Sequence, residues 1–389
     1  MDKIRYGIIG LGNQGTNYAI KIFDQGKAND AVVSAMCDIN PTKIEIMKEK
    51  TTNKDVVYFS DYKEMLDSGL CDAVLVETPH YFHPEMVIEC LKRGINVICD
   101  KPAGVYTKQV KEMNEAAKAS GAKFAMMFNQ RTNCLYRKMR EMVRSGDIGE
   151  IQRVTWIITN WFRTQAYYDG GSWRATWEGE GGGVLINQCP HQLDLVQWVV
   201  GKLPKYVNGF CHYGKWHDIE VDDDVTAYFE YDNGATGMFI TTTGEAPGTN
   251  RFEISGSRGK LICENNTLYF YKSPADSIET IKNSTEGFAK LKPEIIEVET
   301  DGENPQHAGI INNFTATLLG KEELFVDGTE GIAGVELMNA IEFSGWNGGI
   351  RVELPVDEDA YLAELNKKRA TSRLKKVDES KVADTAGTF

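Results

Sequence analysis

The stretch "IRYGIIGLGNQGTNYAIKIF", residues 4–23, restricts the fold more than any other part of this chain. A short apolar run leads into three spaced glycines, and a helical pattern follows. Gly10, Gly12 and Gly15, with Leu11, Asn13 and Gln14 between them, form a GxGxxG placed directly after a strand and before a helix. The first glycine makes a tight turn, the second lets backbone approach a pyrophosphate, and the third packs helix on strand. The start of the helix then offers N–H groups to phosphates. Asp38 closes the second apolar run, where a carboxylate accepts both ribose hydroxyls and repels a 2′-phosphate. The competing reading makes Asp38 an ordinary cap for the helix at "NPTKIE". We therefore expect Gly10, Gly12, Asn13, Gln14, Gly15 and Asp38 to bind NAD, in preference to NADP.

Over the first 125 residues, short β-rich runs ("VVSAMCDIN", "CDAVLVETP", "NVICDKP", "KFAMMFNQR") alternate with helical patterns. Such alternation implies a parallel, doubly covered sheet. Beyond about residue 150 the runs become long, aromatic and often alternating, as in "VTAYFEYDNGATGMFITTT". Asn233-Gly234 inside that run signals a hairpin. The expected architecture is α/β: an N-terminal Rossmann domain (1–125) and a C-terminal α+β domain (126–365) with a large, open, mainly antiparallel sheet. A loosely ordered tail (366–389) is expected to follow. A chain of 389 residues suits two domains.

Thr78-Pro79-His80 and Asp100-Lys101-Pro102 each end an apolar strand. In a doubly wound sheet these strand ends line the ligand crevice. Lys101 follows the apolar "INVIC", which favours a working lysine over a surface ion pair. Pro102 forces an extended or turning backbone there. A second cluster lies in "GEGGGVLINQCPHQLD", residues 179–194, where Asn187, His191 and Asp194 follow a glycine triplet at helical spacing. A solvated helix face and a catalytic wall both fit that spacing. Pro190 starts or kinks the helix, so both Asn187 and His191 are expected at its mouth.

These residues carry a resemblance. The GxGxxG, "TPHYFHPEMVIECLKRGINVICDKP" and "GEGGGVLINQCPHQLD" resemble the Gfo/Idh/MocA oxidoreductases, the group of glucose–fructose oxidoreductase and inositol 2-dehydrogenase. The resemblance spans roughly residues 3–350. The family's usual Glu-Lys-Pro is here Asp100-Lys101-Pro102, and its usual Asp four residues before the histidine is here Asn187. The resemblance implies NAD held at Thr78, Pro79, His80, Asp100 and Lys101 as well as at the glycines, with substrate between the domains. It also implies that His191 is the general base for a hydroxyl proton and that Lys101 steadies charge on the reacting oxygen. Asn187 departs from the family pattern; it cannot ionise but can donate to and accept from a hydroxyl, so it is expected to orient substrate at the catalytic site. These roles are chemically sensible, because His titrates near neutral pH and an ammonium stabilises an alkoxide-like oxygen. Asp194 either orients His191 or bonds backbone.

The loop "NWFRTQAYYDGGSWRATWEGEGGG", residues 160–183, is dense in Trp, Tyr and Arg. Flat rings stack on the C–H faces of sugars, so Trp161, Arg163, Tyr167, Trp173, Arg174 and Trp177 are candidate substrate contacts, and Arg131, after "FNQ", is a further candidate facing the crevice. Core packing is the competing reading for each of them. His83 fits a structural or a functional role equally well. The histidines lack metal-ligand spacing, and His212 and His217 make at most a weak case for one, so no metal is expected.

A net charge of −13 argues against nucleic acid or an anionic membrane surface as partner. No run of apolar residues is long enough for a membrane span, and "MDKIRYGIIGLG" leaves no room for a signal peptide. Eight scattered cysteines suit a reducing cytoplasm. The expected activity is NAD-dependent oxidation of a secondary hydroxyl of a sugar, of a glycoside (C3 of a pyranoside being one option) or of a cyclitol. The alternative is an NAD-retaining glycosidase working by oxidation, elimination and reduction. The resemblance further implies a homo-oligomer, a dimer or tetramer, formed through the open sheet.

Overall fold

A computed structural model describes residues 3–373. The chain forms two compact units: Met1–Thr132 with Asn304–Val335, and Asn133–Glu303 with Glu336–Phe389.

The first unit is built on a six-stranded parallel sheet: β1 (Ile4–Ile9), β2 (Ala31–Cys37), β3 (Val57–Phe59), β4 (Ala73–Val76), β5 (Asn96–Cys99) and β6 (Phe124–Met126). Its order, β3-β2-β1-β4-β5-β6, is that of a Rossmann sheet. All four residues of β4 are buried, as expected of a strand covered on both faces. The order reverses between β1 and β4, so the ends of these two strands flank the switch point where such sheets bind ligands. Gly10 follows β1 there at φ +98, and a Cβ on it would collide with the Glu77 carbonyl beyond β4. The helix Asn13–Asn17 starts from the glycine turn and continues as a wider π turn over Tyr18–Asp24. The helix Pro41–Lys50 is capped by the Asn40 side chain, which accepts from the Thr42 N–H, so Asp38 is not its cap.

The second unit carries a nine-stranded mixed sheet. Its strands are β7 (Ile151–Ile158), β8 (Tyr206–Tyr213), β9 (Asp222–Glu230), β10 (Thr236–Thr242), β11 (Asn250–Gly256), β12 (Gly259–Glu264), β13 (Thr267–Lys272), β14 (Glu294–Glu297) and β15 (Val352–Glu353). The order is β14-β13-β12-β11-β7-β10-β9-β8-β15, antiparallel throughout except for β7 beside β10. Asn233-Gly234 does turn β9 into β10, with Gly234 at φ +83. On one face Trp156 stacks on Phe252 at 4.2 Å and meets Tyr136 of the helix Cys134–Arg144. The other face presents Phe210, Met238, Ile240 and Ile157, of which Phe210 is 53% and Met238 41% exposed.

Two expectations about organisation are corrected. The segment from 126 to 365 is not one unit, because Asn304–Val335 belongs with the first unit. Its helix Gln306–Leu318 buries Ile310, Ile311 and Phe314, and Thr315 shares a 2.9 Å hydrogen bond with the Tyr6 hydroxyl of β1. Nor does order end at 366. The helix Glu358–Ala370 is capped by Asp357 and buries Tyr361 and Leu365. Residues 374–389 of the expected tail lie outside the described residues.

Candidate functional site

At the end of β2 the Asp38 carboxylate is buried and accepts the backbone N–H of Leu11, inside the glycine turn, at 2.8 Å. It also accepts from the Asn40 N–H at 2.8 Å and from Lys43 at 3.4 Å. A Cβ on Gly15 would collide with the Gly10 carbonyl, which is why helix and strand can meet only at glycine. A Cβ on Gly12 would meet no protein atom within 4 Å, so the loop leaves an open cradle there.

The ends of β4 and β5 form a charged cluster in the same unit. The ring of His83 lies between two backbone carbonyls, with Nδ1 2.8 Å from Pro102 O and Nε2 2.6 Å from Thr78 O. The ring packs between the two strand-end loops; burial lowers its pKa, and the neutral imidazole donates to one of the two carbonyls. His83 is structural, while the buried His80 lies edge-on to it at 5.9 Å. Lys101 precedes a cis peptide bond to Pro102, and its backbone N–H donates to the Asp100 carboxylate at 2.8 Å. Glu77, one residue before Thr78, is buried near Asp100; burial and then the charge of Asp100 push the Glu77 carboxyl well above its ordinary range. His307, on the returning helix, packs on the Tyr18 ring at 5.5 Å, and burial lowers its pKa.

In the second unit the glycine triplet becomes a turn, with Gly181 at φ +87 and Gly182 at φ +158. The short helix Val184–Asn187 follows, and a separate helix, Pro190–Val200, starts at the proline. Asn187 thus ends one helix and His191 lies in the first turn of the next, so no continuous helix face joins them. The turn is held from beneath by Asp222, which accepts the N–H groups of Gly183 at 2.5 Å and Leu185 at 2.9 Å. Burial raises the Asp222 carboxyl to about 6, against those hydrogen bonds. The neighbouring Glu342 carboxyl is raised further by burial and by the Asp222 charge, so the proton resides on Glu342. Asn187 donates from Nδ2 to the Glu180 carboxylate. The buried Asp194 carboxylate accepts from the Gln197 side chain at 3.1 Å.

The aromatic loop assembles five of its six candidates into one ladder of alternating rings and guanidinium groups. Arg163 lies 5.8 Å from the Trp161 ring and 5.1 Å from the Tyr167 ring. Arg174 lies 4.5 Å from Tyr167 and 4.8 Å from Trp173. Each contact is a cation–π pairing. The Tyr167 hydroxyl accepts from Arg174 at 2.6 Å and from Gln188 at 3.2 Å, tying the ladder to the residue after Asn187. His217 anchors the loop, with Nε2 2.9 Å from the Arg163 carbonyl and Nδ1 3.0 Å from Asp223. His212 lies beside Asp224. Among the described residues no group of three His, Cys, Asp or Glu is arranged to hold a metal ion.

Two candidates do not belong to this site. Trp177 is 5% exposed and packs on Tyr213 and Trp346 at 5.7 and 5.6 Å, as a core residue. Arg131 is fully buried in the first unit, where it lies over the Phe128 ring and pairs with Glu330 at 2.5 Å. The guanidinium is therefore spent on internal contacts instead of being displayed to a ligand.

Two family models match this chain: the NAD-binding Rossmann fold of an oxidoreductase family over residues 4–128, and the GFO/IDH/MocA C-terminal domain over residues 136–262. The chain belongs to the Gfo/Idh/MocA oxidoreductase family. Myo-inositol 2-dehydrogenase of Thermotoga maritima is 26% identical over 273 residues, covering 67% of this chain and 75% of that protein. D-glucoside 3-dehydrogenase of Escherichia coli is 29% identical over 220 residues, covering 53% of this chain and 61% of that protein. The WlbA dehydrogenase of Bordetella pertussis, solved with NADH and UDP-GlcNAcA, is 26% identical, with a TM-score of 0.77 over 92% of this chain and 99% of that one.

NAD is the cofactor of this Gfo/Idh/MocA chain, and the residues present fit it. The open cradle at Gly12 leaves room for a pyrophosphate, and the buried Asp38 carboxylate stands at the end of β2, where a ribose would be read. Sequence reasoning missed Glu77, Glu180, Asp222, Glu342 and His307. Glu77 and Glu180 had a usable signal, since each is an acid beside a motif: one precedes "TPH" and the other "GGG".

Proposed function

We propose that this enzyme oxidises a secondary hydroxyl of a sugar, glycoside or cyclitol, with hydride passing to NAD. The reading is carried by the ring–guanidinium ladder of Trp161, Arg163, Tyr167, Arg174 and Trp173, joined through Gln188 to the wall bearing Asn187 and His191. Flat rings match the C–H face of a ring polyol, and guanidinium groups donate to its hydroxyls. When bound, NAD accepts the hydride from the carbinol carbon. His191 takes the hydroxyl proton, Lys101 holds the negative charge that develops on that oxygen, and Asn187 orients the substrate. Thr78, Pro79, His80 and Asp100 border the cofactor beside the glycine turn. The product is the corresponding ketone.

The same reading places the enzyme in the cytoplasm, supported by eight free cysteines, and makes it a dimer or tetramer. The exposed Phe210 and Met238, on a sheet face that also carries the half-buried Ile240 and Ile157 and the polar Thr226, support association through that face.

The test is NADH appearance when the protein is mixed with NAD and, in turn, glucose, methyl and aryl glucosides and inositols. Growth of NADH with one class names the substrate. A flat trace with the sugar still consumed overturns net dehydrogenation and favours the cofactor-recycling glycosidase. Lys101→Met and His191→Ala should each cut turnover by about 10²–10⁴-fold while NADH binding survives. Full activity in either variant refutes the assigned roles.

A further inference from the structure

Asn187 ends the short helix after the glycine turn, and its amide carries no charge. Its side chain nevertheless touches a carboxylate. Glu180, immediately before the glycine triplet, is 1% exposed and accepts the Asn187 Nδ2–H on one oxygen and the Ala175 N–H on the other. Arg174 stands 3.9 Å from the same carboxylate, so its negative charge is compensated within the second unit. Ala175 holds φ +55, a left-handed conformation that alanine takes at a cost of roughly 1 kcal/mol. That strain points its N–H at Glu180. Strain of this kind persists only where the surroundings over-determine it, and it gathers at functional sites.

We propose that Glu180 is a positioning residue of the catalytic wall. It holds the Asn187 amide with its N–H on the carboxylate, so that the oxygen is what Asn187 offers to the reacting groups. It also supplies from behind the charge that Asn187 lacks. The chemistry sets the orientation: an ionised carboxylate only accepts, so the amide must turn its donor to Glu180 and its acceptor away. A carboxylate bonded to the N–H also polarises the amide and strengthens that acceptor. The oxygen then suits a substrate hydroxyl or a protonated His191. The Arg174 contact couples this pair to the aromatic ladder, so loop and wall are set by the same buried charge. The inference rests on the dehydrogenase reading for its activity readout, but the pairing itself does not.

The test exchanges the two groups. Glu180→Gln, Asn187→Asp and the double variant are compared with wild type for kcat/KM, NADH binding and thermal unfolding. Asn187→Asp alone presses two carboxyl groups together and should lower both kcat/KM and melting temperature. In the double variant the amide introduced at position 180 donates to the carboxylate introduced at position 187. It should recover at least about 10-fold in kcat/KM over Asn187→Asp, with part of the lost melting temperature regained. NADH binding should stay unchanged in all variants. If the two substitutions simply multiply in kcat/KM and add in melting temperature, Glu180 has a merely structural role and the proposal fails. If the wild type turns over no sugar, the dehydrogenase reading fails by itself, and coupling in the unfolding cycle still decides whether the pair exists.

Discussion

Asp222 and Glu342 press two buried carboxyl groups together beneath the glycine turn that carries Asn187. Both carboxyls are pushed above the ordinary range, Asp222 to about 6 and Glu342 well above its usual value, chiefly because burial disfavours their charged forms. In the unfolded chain both would lose their protons near pH ~4. Above that point the native state binds more protons than the unfolded one, so stability falls as pH rises through the folded values. Glu342→Gln keeps an N–H for Asp222 and removes the group that must ionise. The variant should therefore lose less melting temperature than wild type as the pH rises from the ordinary carboxyl range through the value of Asp222, about 6, and above it. A difference between the two proteins that does not change with pH would refute the shared proton.

Asp38 ties the cofactor choice to the glycine turn, because the carboxylate expected to read the ribose also holds the Leu11 N–H. Wild type should bind NADH at least about 10-fold more tightly than NADPH, since the carboxylate repels a 2′-phosphate. Asp38→Ser should narrow that gap and cost about 1–2 kcal/mol of stability, because one short hydroxyl cannot accept from both backbone N–H groups. Fluorescence titration with both nucleotides measures the gap. Equal affinity in wild type would show that Asp38 serves the loop alone.

Arg131 distinguishes burial from recognition. It makes its ion pair with Glu330 from a side chain that is 1% exposed. Arg131→Met preserves most of the volume but breaks the pair, and should cost about 1–3 kcal/mol in urea unfolding. The Michaelis constant for the substrate should move by less than about twofold. A large rise in KM with stability unchanged would return Arg131 to the substrate site.

What could be read in advance divides by range. The glycine turn was legible because each glycine answers a local demand: a positive φ at Gly10, close packing at Gly15, open approach at Gly12. The hairpin at Asn233-Gly234 and the strands ending in Asp38, Thr78 and Lys101 were legible for the same reason. Glu342 reaches Asp222 from a helix far along the chain, and His307 returns from a segment that looked like part of the second domain. No local period marks either approach. Trp177 and Arg131 were misread because residue type was weighted above context. Arg131 directly follows the strand-like "FAMMFNQ", and that apolar run already argued for burial. The break at Gln188–Cys189 was half visible, since Pro190 permits a helix to start but does not show where the previous one stops.

Tyr167 is where the ladder meets the wall, and it separates binding from chemistry. Its hydroxyl accepts from Arg174 at 2.6 Å and from Gln188 at 3.2 Å, while its ring lies beside the guanidinium groups of Arg163 and Arg174. Tyr167→Phe removes both hydrogen bonds and leaves the ring in place. Arg174 and Gln188 then lose a shared acceptor, so the loop positions substrate less well without any reacting group being altered. A lost hydrogen bond is worth about 0.5–1.5 kcal/mol, which corresponds to a rise in KM of roughly 2- to 13-fold. The turnover number should change by less than about twofold, and NADH affinity should not change. Steady-state kinetics on the identified sugar, with a parallel NADH titration, reads all three quantities. An equal fall in kcat would mean that the hydroxyl acts on the reacting atoms. An unchanged KM would remove the ladder from substrate binding, and with it the observation on which the sugar assignment stands.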